Sequence, residues 1–236
     1  MVQSVTIDAF LNLTTPMLDV RSPGEFDQAH IPSALSIPLY DNDERAEVGT
    51  CYKQQGRDEA VELGLKFVGP KLATFVAQAK EIAPDRQVRV HCWRGGMRSG
   101  SMAWLLETAG FSVTTLTGGY KSFRQWVRQT LAVPKPIISL GGMTGSGKTA
   151  ILMALADQGE QILDLEGIAH HRGSSYGALG LPPQPSTEMF ENLVAIAWSQ
   201  LDGDRSVWIE AESRQIGRCR VPEELFGPMM QAPVVQ

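Results

Sequence analysis

The sequence predicts an α/β fold in which two units follow one another, each with a parallel sheet covered by helices. Short apolar runs typical of buried strands alternate with helical patterns, and this alternation is typical of parallel sheets. Pro134 and Pro136 interrupt it, because two closely spaced prolines end a helix and favour extended chain. The same alternation restarts after them. We therefore predict one domain over residues 1–133 and a second over residues 134–236.

The elements of each predicted domain follow from the spacing of the apolar residues. In the first domain, strands are predicted at residues 17–20, 88–91 and 112–116, and helices at residues 69–82, 98–109 and 119–131. In the second domain, strands are predicted at residues 137–140, 161–165 and 206–210, and helices at residues 148–157 and 187–201. Residues 172–186 are rich in Gly, Pro and Ser, so a loop is predicted there.

The composition is that of a globular chain with a hydrophobic core. Hydrophobic residues make up 43% of the 236 residues and charged residues 20%, which excludes disorder, collagen and coiled coil. No apolar run reaches the length of about 18 residues that a membrane span needs, and no signal peptide is predicted. Three cysteines do not form a disulfide framework, so we expect a reducing cytoplasm. Cys51 and Cys219 are assigned structural roles.

Charge is distributed unevenly along the chain. The formal net charge of −5 by itself disfavours nucleic-acid binding. Residues 1–83 carry a net −5, residues 84–136 a net +6 and residues 137–236 a net −6. The cations of this basic segment, residues 84–136, are Arg86, Arg89, Arg94, Arg98, Lys121, Arg124, Arg128 and Lys135. Such a concentration is typical of phosphate binders, although the charge alone fits an ordinary solvated surface equally well.

The first chemical motif is a cysteine loop at residues 90–99 (VHCWRGGMRS). Cys92 follows a predicted strand, two glycines come soon after it, and a helix begins near Arg98. Backbone N–H groups of such a loop can converge on an anion, and the helix N-terminus adds the positive end of its dipole. Arg94 and Arg98 lie in the same turn. These effects favour a thiolate, so Cys92 is predicted to be a nucleophile supported by the two arginines.

The second motif is a phosphate-binding loop, or P-loop, at residues 142–149 (GMTGSGKT). It lies between a predicted strand and a predicted helix, as this motif requires. Its backbone N–H groups and its lysine bind phosphate oxygens, and its threonine is a potential ligand of Mg²⁺. The residues predicted to bind the phosphates are Gly142, Gly145, Ser146, Gly147, Lys148 and Thr149, of which Thr149 is the predicted metal ligand.

Acidic residues follow the two later strands of the second domain. Asp164 and Glu166 follow one strand, and Glu210 and Glu212 follow the other. We expect Asp164 and Glu210 to complete the phosphate site, since carboxylates at such strand ends assist metal binding or act as bases. Each also fits a solvated strand end. The pair at residues 170–171 (HH) fits a loop facing phosphate or substrate, and an ordinary surface loop almost equally well.

The first domain resembles the rhodanese family. The resemblance is carried by residues 19–26 (DVRSPGEF), residues 30–34 (HIPSA) and the cysteine loop about sixty residues further on, and it spans about residues 9–131. It implies a rhodanese-like parallel sheet covered by helices. It also implies that the loop cysteine, Cys92, carries sulfur or selenium in a persulfide-like intermediate.

The two domains together are similar to the tRNA 2-selenouridine synthase family. The further segments that carry this resemblance are residues 42–56, 118–121, 164–167, 171–175 and 210–217. It implies a P-loop NTPase-like second domain. It also implies an activity on wobble 2-thiouridine in the tRNA anticodon arm: geranyl diphosphate provides a geranyl group for the thio sulfur, and selenophosphate then provides selenium to give 2-selenouridine. In that interpretation the basic segment holds the anticodon arm.

Family members are longer than this chain, so we expect the second domain to be incomplete, with a further strand beginning near residues 228–236. Two other functions fit the motifs. One is a thiosulfate-type sulfurtransferase that uses Cys92 and has a regulatory nucleotide-binding P-loop. The other is a nucleotide-gated module whose cysteine loop binds an anion without turnover. The basic segment and residues 42–56 favour the selenium-transferring enzyme over both.

Overall fold

The computed structural model describes residues 2–143, 145–174 and 176–236. The chain divides into two compact units, residues 1–124 and 125–236. The predicted domain boundary at residue 133 stays a prediction. Within the described residues, no helix has the length and hydrophobicity needed to span a bilayer.

The first unit is built on a five-stranded sheet. Its strands are β1 (Gln3–Val5), β2 (Met17–Asp19), β3 (Leu35–Ser36), β4 (Gln87–His91) and β5 (Ser112–Leu116). Its helices are α1 (Ile7–Leu11), α2 (Pro23–Gln28), α3 (Asn42–Gln54), α4 (Arg57–Val68), α5 (Leu72–Ile82), α6 (Met97–Thr108) and α7 (Gly119–Leu131), which continues beyond residue 124. A 3₁₀ turn at Gly69–Lys71 precedes α5, so the helix predicted from residue 69 begins at Leu72.

All strands of this sheet are parallel, in the order β1-β5-β4-β2-β3. Apolar side chains of the central strands, such as Leu18 and Val90, pack with Phe75 of α5 and Leu106 of α6 in one buried cluster. Since β2 and β4 are neighbours in register, their carboxyl ends lie side by side. The segments that follow these two strands therefore meet at one edge of the sheet.

The second unit contains a parallel sheet of four strands and a short hairpin. The sheet strands are β6 (Ile137–Leu140), β7 (Gln161–Leu163), β8 (Val207–Glu210) and β11 (Val234–Val235), in the order β11-β6-β8-β7, and the antiparallel hairpin is β9 (Gln215–Ile216) with β10 (Cys219–Arg220). The helices are α8 (Lys148–Asp157), α9 (Leu165–Ala169), α10 (Thr187–Ser199) and α11 (Glu223–Gln231). The expected strand near the end of the chain is confirmed as β11.

Most predicted elements are confirmed within one or two residues, and the strand at 112–116 and the helices at 119–131 and 148–157 have the predicted bounds. The strand predicted over 161–165 was wrong at its end. It stops at Leu163 because Asp164 is the N-cap of α9 and Leu165 is its first helical residue.

Candidate functional site

Cys92 lies directly after β4, and the loop that it begins leads into α6. Its side chain is buried, with 3% exposed. The Ser99 hydroxyl oxygen lies 3.2 Å from Cys92 Sγ and also donates to the Gly96 carbonyl at 3.1 Å. The sulfur therefore lies at the bottom of the loop, in contact with the first turn of α6.

The loop stabilises a negative charge on this sulfur. Burial by itself would raise the pKa of the Cys92 thiol, because it removes water from the thiolate. Hydrogen bonds from the Ser99 side chain and backbone, and from the backbone N–H groups of Arg94 and Gly96, outweigh burial and lower that pKa. The cysteine is thus set up as a nucleophile by convergent N–H and O–H donors.

A glycine at the start of α7 holds the cysteine loop in shape. The N–H of Tyr120 donates to the Cys92 carbonyl at 2.8 Å, and the N–H of Lys121 donates to the Trp93 carbonyl at 2.9 Å. Gly119 has φ +59°, and a Cβ there would collide with the Cys92 carbonyl and the loop backbone. Only glycine allows this close approach, in which the carbonyls turn toward α7.

A buried ion pair lies beneath the loop. Arg21, which is 1% exposed, donates to both carboxylate oxygens of Asp19 and to the Ala29 carbonyl at 2.7 Å. Its guanidinium lies 3.9 Å from the centre of the Tyr120 ring and 5.9 Å from the centre of the Trp93 ring. Because both charges are paired and hydrogen-bonded, they rigidify the base of the site.

His91 precedes the nucleophile and is fully buried. Burial lowers the pKa of His91 to about 4, so its ring is neutral at pH 7. Over the described ranges, neither ring nitrogen of His91 has a hydrogen-bond partner. His91 therefore adds no positive charge to the thiolate, whose stabilisation comes from the loop donors.

The two arginines predicted to support Cys92 have different surroundings. Arg98 pairs with Glu25 of α2, at 2.7 Å from Nη1 and 3.4 Å from Nη2. Burial would lower the pKa of Arg98, but Glu25, with a smaller contribution from the Cys92 charge, raises it. The Arg94 side chain is exposed, and this residue reaches Cys92 through its backbone N–H.

The P-loop connects β6 to α8 in the second unit, and its Thr144 lies outside the described residues. Gly142, Gly145 and Gly147 have positive φ values of +141°, +80° and +88°. Lys148 opens α8, and its Nζ lies 3.2 Å from the Gly142 carbonyl. The lysine thus folds back over its own loop. A bound phosphate would replace the Gly142 carbonyl as the partner of its ammonium group.

Three carboxylates converge beside this loop. One oxygen each of Glu166, Glu210 and Glu212 lies within 4.8 Å of the others. Glu210 is 3% exposed, its Oε1 has no hydrogen-bond partner among the described residues, and it accepts a hydrogen bond from Thr149. A buried carboxylate oxygen without a partner, next to two more carboxylates, is a suitable donor set for a hard cation such as Mg²⁺.

The repulsion within this carboxylate cluster changes how it binds protons. Burial, with the charges of Glu210 and Glu212, raises the pKa of Glu166 to about 7, while Lys148 acts in the opposite direction. Burial also raises the pKa of Glu210. The cluster therefore retains a proton that a divalent cation would displace.

Asp164, which was predicted beside the phosphates, is the N-cap of α9. Its Oδ1 accepts the Gly167 N–H at 2.8 Å, and its charge contributes to the raised pKa of Glu210. The loop after α9 also approaches the carboxylates, because a Cβ on Gly173 would collide with Glu166. Of the two acidic residues that follow β7, Glu166 and not Asp164 joins Glu210 in the cluster.

Two family models match this chain on either side of residue 130. Residues 7–125 match the rhodanese-like domain, and residues 135–236 match the AAA domain of tRNA 2-selenouridine synthase. The chain belongs to the rhodanese-like family and carries, after that domain, the AAA domain of tRNA 2-selenouridine synthase. Its rhodanese-like domain contains the Cys92 loop, and its AAA domain contains the P-loop. Both the rhodanese and the synthase resemblance are thereby confirmed.

Solved structures similar to this family member match its first half. The N-terminal domain of a protein from Clostridium difficile 630 described as ATP/GTP binding is 42% identical, with a TM-score of 0.51, covering 53% of this chain and 98% of that one. A rhodanese-related protein from Thermoplasma volcanium is 19% identical, with a TM-score of 0.33, covering 54% of this chain and 92% of that one.

Several cations of the basic segment bind backbone carbonyls within the fold. Arg89 is 7% exposed and donates to the Phe10 and Thr15 carbonyls. Arg86 binds the Ala109 carbonyl, and Lys135 binds the Leu201 carbonyl. The +6 of this segment is therefore an overestimate of the positive charge that faces solvent. The exposed cations of the segment include Arg94, Lys121 and Arg128.

His170 and the remaining cysteines have structural surroundings, whereas the buried His171 Nδ1 has no hydrogen-bond partner among the described residues. His170 Nδ1 lies 3.0 Å from the Pro183 carbonyl, and Cys219 lies 3.5 Å from the Pro185 carbonyl. Burial raises the pKa of the Cys219 thiol. Cys51 is buried on α3, with its sulfur 3.8 Å from Gln55 Oε1.

Sequence reasoning missed Ser99 as a contact of the nucleophile. Its signal was available, since a hydroxyl seven residues after Cys92 falls on the first turn of the helix that follows the loop. Glu166 and Glu212 were noted at their strand ends but not chosen as site residues. Choosing Glu166 over Asp164 requires knowing that Asp164 is a helix cap. The spacing indicates this, because an N-cap side chain accepts the N–H three residues further on, here that of Gly167.

Proposed function

We propose that this chain is a tRNA-modifying transferase that converts wobble 2-thiouridine to 2-selenouridine, with the two loops serving two successive reactions in the cytoplasm. The observation that carries the proposal is the presence, in one chain of this family, of a thiolate-stabilising loop at Cys92 and a P-loop at Lys148. Neither a rhodanese-like domain nor a P-loop alone explains both.

The first reaction is assigned to the P-loop. The thio sulfur of 2-thiouridine attacks C1 of geranyl diphosphate, a C–S bond forms, the C–O bond breaks, and diphosphate leaves with the bonding pair. Backbone N–H groups after Gly142 and the Lys148 ammonium would hold the diphosphate. Glu210 and the neighbouring carboxylates, with Thr149, would hold Mg²⁺, which neutralises charge on such a leaving group.

The second reaction is assigned to the Cys92 loop. Selenophosphate supplies selenium: a C2–Se bond forms on the base, the C2–S bond breaks and geranylthiol leaves, while the P–Se bond breaks and the phosphoryl group passes finally to water as phosphate. Alkylation makes the sulfur a better leaving group than a free thiocarbonyl, which explains why geranylation precedes selenium transfer. The lowered pKa of Cys92 supplies a nucleophile to this step.

The tRNA is expected on the face of the first unit that carries the Cys92 loop. Trp93 is 37% exposed and presents a ring on which a base can stack. Two exposed cations lie near this ring. Arg94 is the next residue in sequence, and the backbone N–H of Lys121 donates to the Trp93 carbonyl. Such cations bind the phosphate backbone.

The test uses purified protein with 2-thiouridine tRNA, geranyl diphosphate and selenophosphate, followed by nucleoside mass spectrometry. We expect S-geranyl-2-thiouridine when selenophosphate is omitted and 2-selenouridine when both are present. The absence of both products, with a longer family member active in parallel, contradicts the proposal for this chain. Sulfur transfer from thiosulfate dependent on Cys92, with ATP hydrolysed and geranyl diphosphate ignored, would favour the sulfurtransferase instead.

A further inference from the structure

The oxidation state of selenium limits what Cys92 can do in the proposed second reaction, on which this inference rests. Selenium in selenophosphate is already selenide. A bond between Cys92 sulfur and that selenium requires the removal of two electrons, and neither selenophosphate nor the geranylated base accepts them. Attack of the thiolate on phosphorus requires no oxidant, because selenium leaves as selenide.

The donors around Cys92 fit a phosphoryl group. Backbone N–H groups of Arg94, Gly96 and Ser99 converge on the sulfur, at the N-terminus of α6. A phosphoryl group on Sγ would place its oxygens among such donors, and the positive end of the 12-residue helix faces the same charge. The Arg98 guanidinium, held by Glu25, adds a full positive charge close enough to interact with the Cys92 thiolate.

The depth of the sulfur favours a small substrate. With 3% of its side chain exposed, Cys92 lies beneath the loop, while Trp93 and Met97 are exposed around it at 37% and 51%. A small tetrahedral phosphate derivative needs less opening of the loop to reach such an atom than a base held in an anticodon arm does. The sulfur therefore suits activation of the small selenium donor better than direct contact with the tRNA base.

Ser99 is arranged to serve both halves of a phosphoryl transfer. Its hydroxyl hydrogen has two acceptors within reach, Gly96 O at 3.1 Å and Cys92 Sγ at 3.2 Å. With a phosphoryl group on sulfur, the hydroxyl can return to Gly96. When the S–P bond breaks, it can donate to the departing thiolate.

We propose that Cys92 takes the phosphoryl group of selenophosphate, and not its selenium. The thiolate attacks phosphorus, an S–P bond forms, the P–Se bond breaks, and selenium leaves with the bonding pair as hydroselenide, which attacks C2 of the geranylated base. Water then attacks the phosphocysteine, the S–P bond breaks, the Cys92 thiolate leaves, and phosphate and protons are released. Sulfur, selenium and phosphorus all keep their oxidation states.

The first test identifies the adduct. Wild-type protein is mixed with selenophosphate and geranylated tRNA, and samples are quenched in denaturant at successive times within the first turnover. The peptide that contains Cys92 is then examined by mass spectrometry. Phosphoryl and selenium adducts have nearly equal masses, so the selenium isotope pattern and removal by dithiothreitol distinguish them. We expect an adduct without the selenium pattern that resists dithiothreitol. A selenium adduct, or no adduct while 2-selenouridine forms, overturns the inference and leaves the proposed function standing.

The second test is independent of tRNA. Thiophosphate, the sulfur analogue, is added to the protein and released hydrosulfide is measured. We expect a burst equal to the amount of protein, which Cys92→Ser abolishes and Cys51→Ser, at a buried cysteine of the same unit, leaves intact. For Ser99→Ala we expect the phosphoryl adduct to accumulate and its hydrolysis to slow about tenfold. The absence of a burst from wild-type protein overturns the inference, whatever the nucleoside assay gives.

Discussion

The Cys92 loop and the P-loop both follow a parallel strand and lead into a helix, and both bend at glycines with positive φ. They differ in what faces the donors. In the first, N–H groups converge on a sulfur of the same loop, which is 3% exposed. In the second, Lys148 and Thr149 interact with a cluster of carboxylates that includes Glu166 and Glu210.

The negative charge at the Cys92 loop is the loop's own thiolate, whereas the P-loop motif is built to bind the negative charge of a phosphate. The Cys92 loop already contains its negative charge, so its donors lower a pKa and activate a nucleophile. In the P-loop region the pKa values of Glu166 and Glu210 are raised, and the Lys148 charge opposes both shifts. Under the proposed function, the same strand–loop–helix unit would support catalysis in one domain and ligand binding in the other.

The largest expected effect separates the two loops by reaction. Cys92→Ser removes the nucleophile but keeps the shape of the loop, so selenium transfer should fall by at least about a thousandfold. Geranylation, which is assigned to the P-loop, should stay within about twofold of wild type. Nucleoside mass spectrometry measures both products in one sample, and equal loss of the two would remove the division of labour between the loops.

Glycine substitutions compare the packing of the loops. Gly119→Ala should destabilise the protein by about 3 kcal/mol, because it combines a left-handed backbone with a collision against the Cys92 carbonyl. Gly147→Ala is the matched control, since φ is +88° and its Cβ would have no atom of the described residues within 4 Å. Its cost should be about 1 kcal/mol. Thermal unfolding measures both, and equal costs would contradict the interlock between the cysteine loop and α7.

Lys148→Ala should weaken binding of geranyl diphosphate by roughly 10–100-fold, the value of a charge-assisted hydrogen bond of about 1.5–3 kcal/mol. Selenium transfer to tRNA that is already geranylated should be unchanged. Lys80→Ala, at an exposed position on α5, controls for the loss of a charge. Titration calorimetry gives the dissociation constants. Unchanged binding in the Lys148 variant would mean that the diphosphate is held elsewhere.

The smallest expected effect is a dependence of stability on pH from Glu166. Its pKa is raised to about 7 from an ordinary value of 4.5, so between these values the folded chain binds a proton that the unfolded chain has released. Stability should therefore decrease as pH rises from 4.5 to about 7 and then level off. Glu166→Gln should flatten this slope in melting curves recorded with a chelator. An unchanged slope would show that another group carries the proton.

The two loops also differ in how far the sequence predicts them. Cys92 and Lys148 follow from motifs, because the chemistry of each resides in one contiguous segment. The contacts of Ser99 with sulfur and of Glu166 with Glu210 depend on which side chains point into the site. The strand order of each sheet likewise depends on long-range pairing that local periodicity does not encode.

A helix cap explains why the prediction of the carboxylate cluster was incomplete. Asp164 and Glu166 are two residues apart after the same strand, and both are acidic. The short helix α9 uses Asp164 to bind the Gly167 N–H, which leaves Glu166 for the cluster. A local hydrogen bond thus determined which of two similar residues joins the carboxylate cluster.

The burial of Cys92 also determines which oxidants can damage the protein. A thiolate at the surface would exchange readily with bulky disulfides such as oxidised glutathione. A sulfur that is 3% exposed beneath a tight loop is a poor target for such bulky molecules, and only small oxidants remain as candidates to reach it. The burial of Cys92 therefore sets a size limit on the oxidants that would damage the protein.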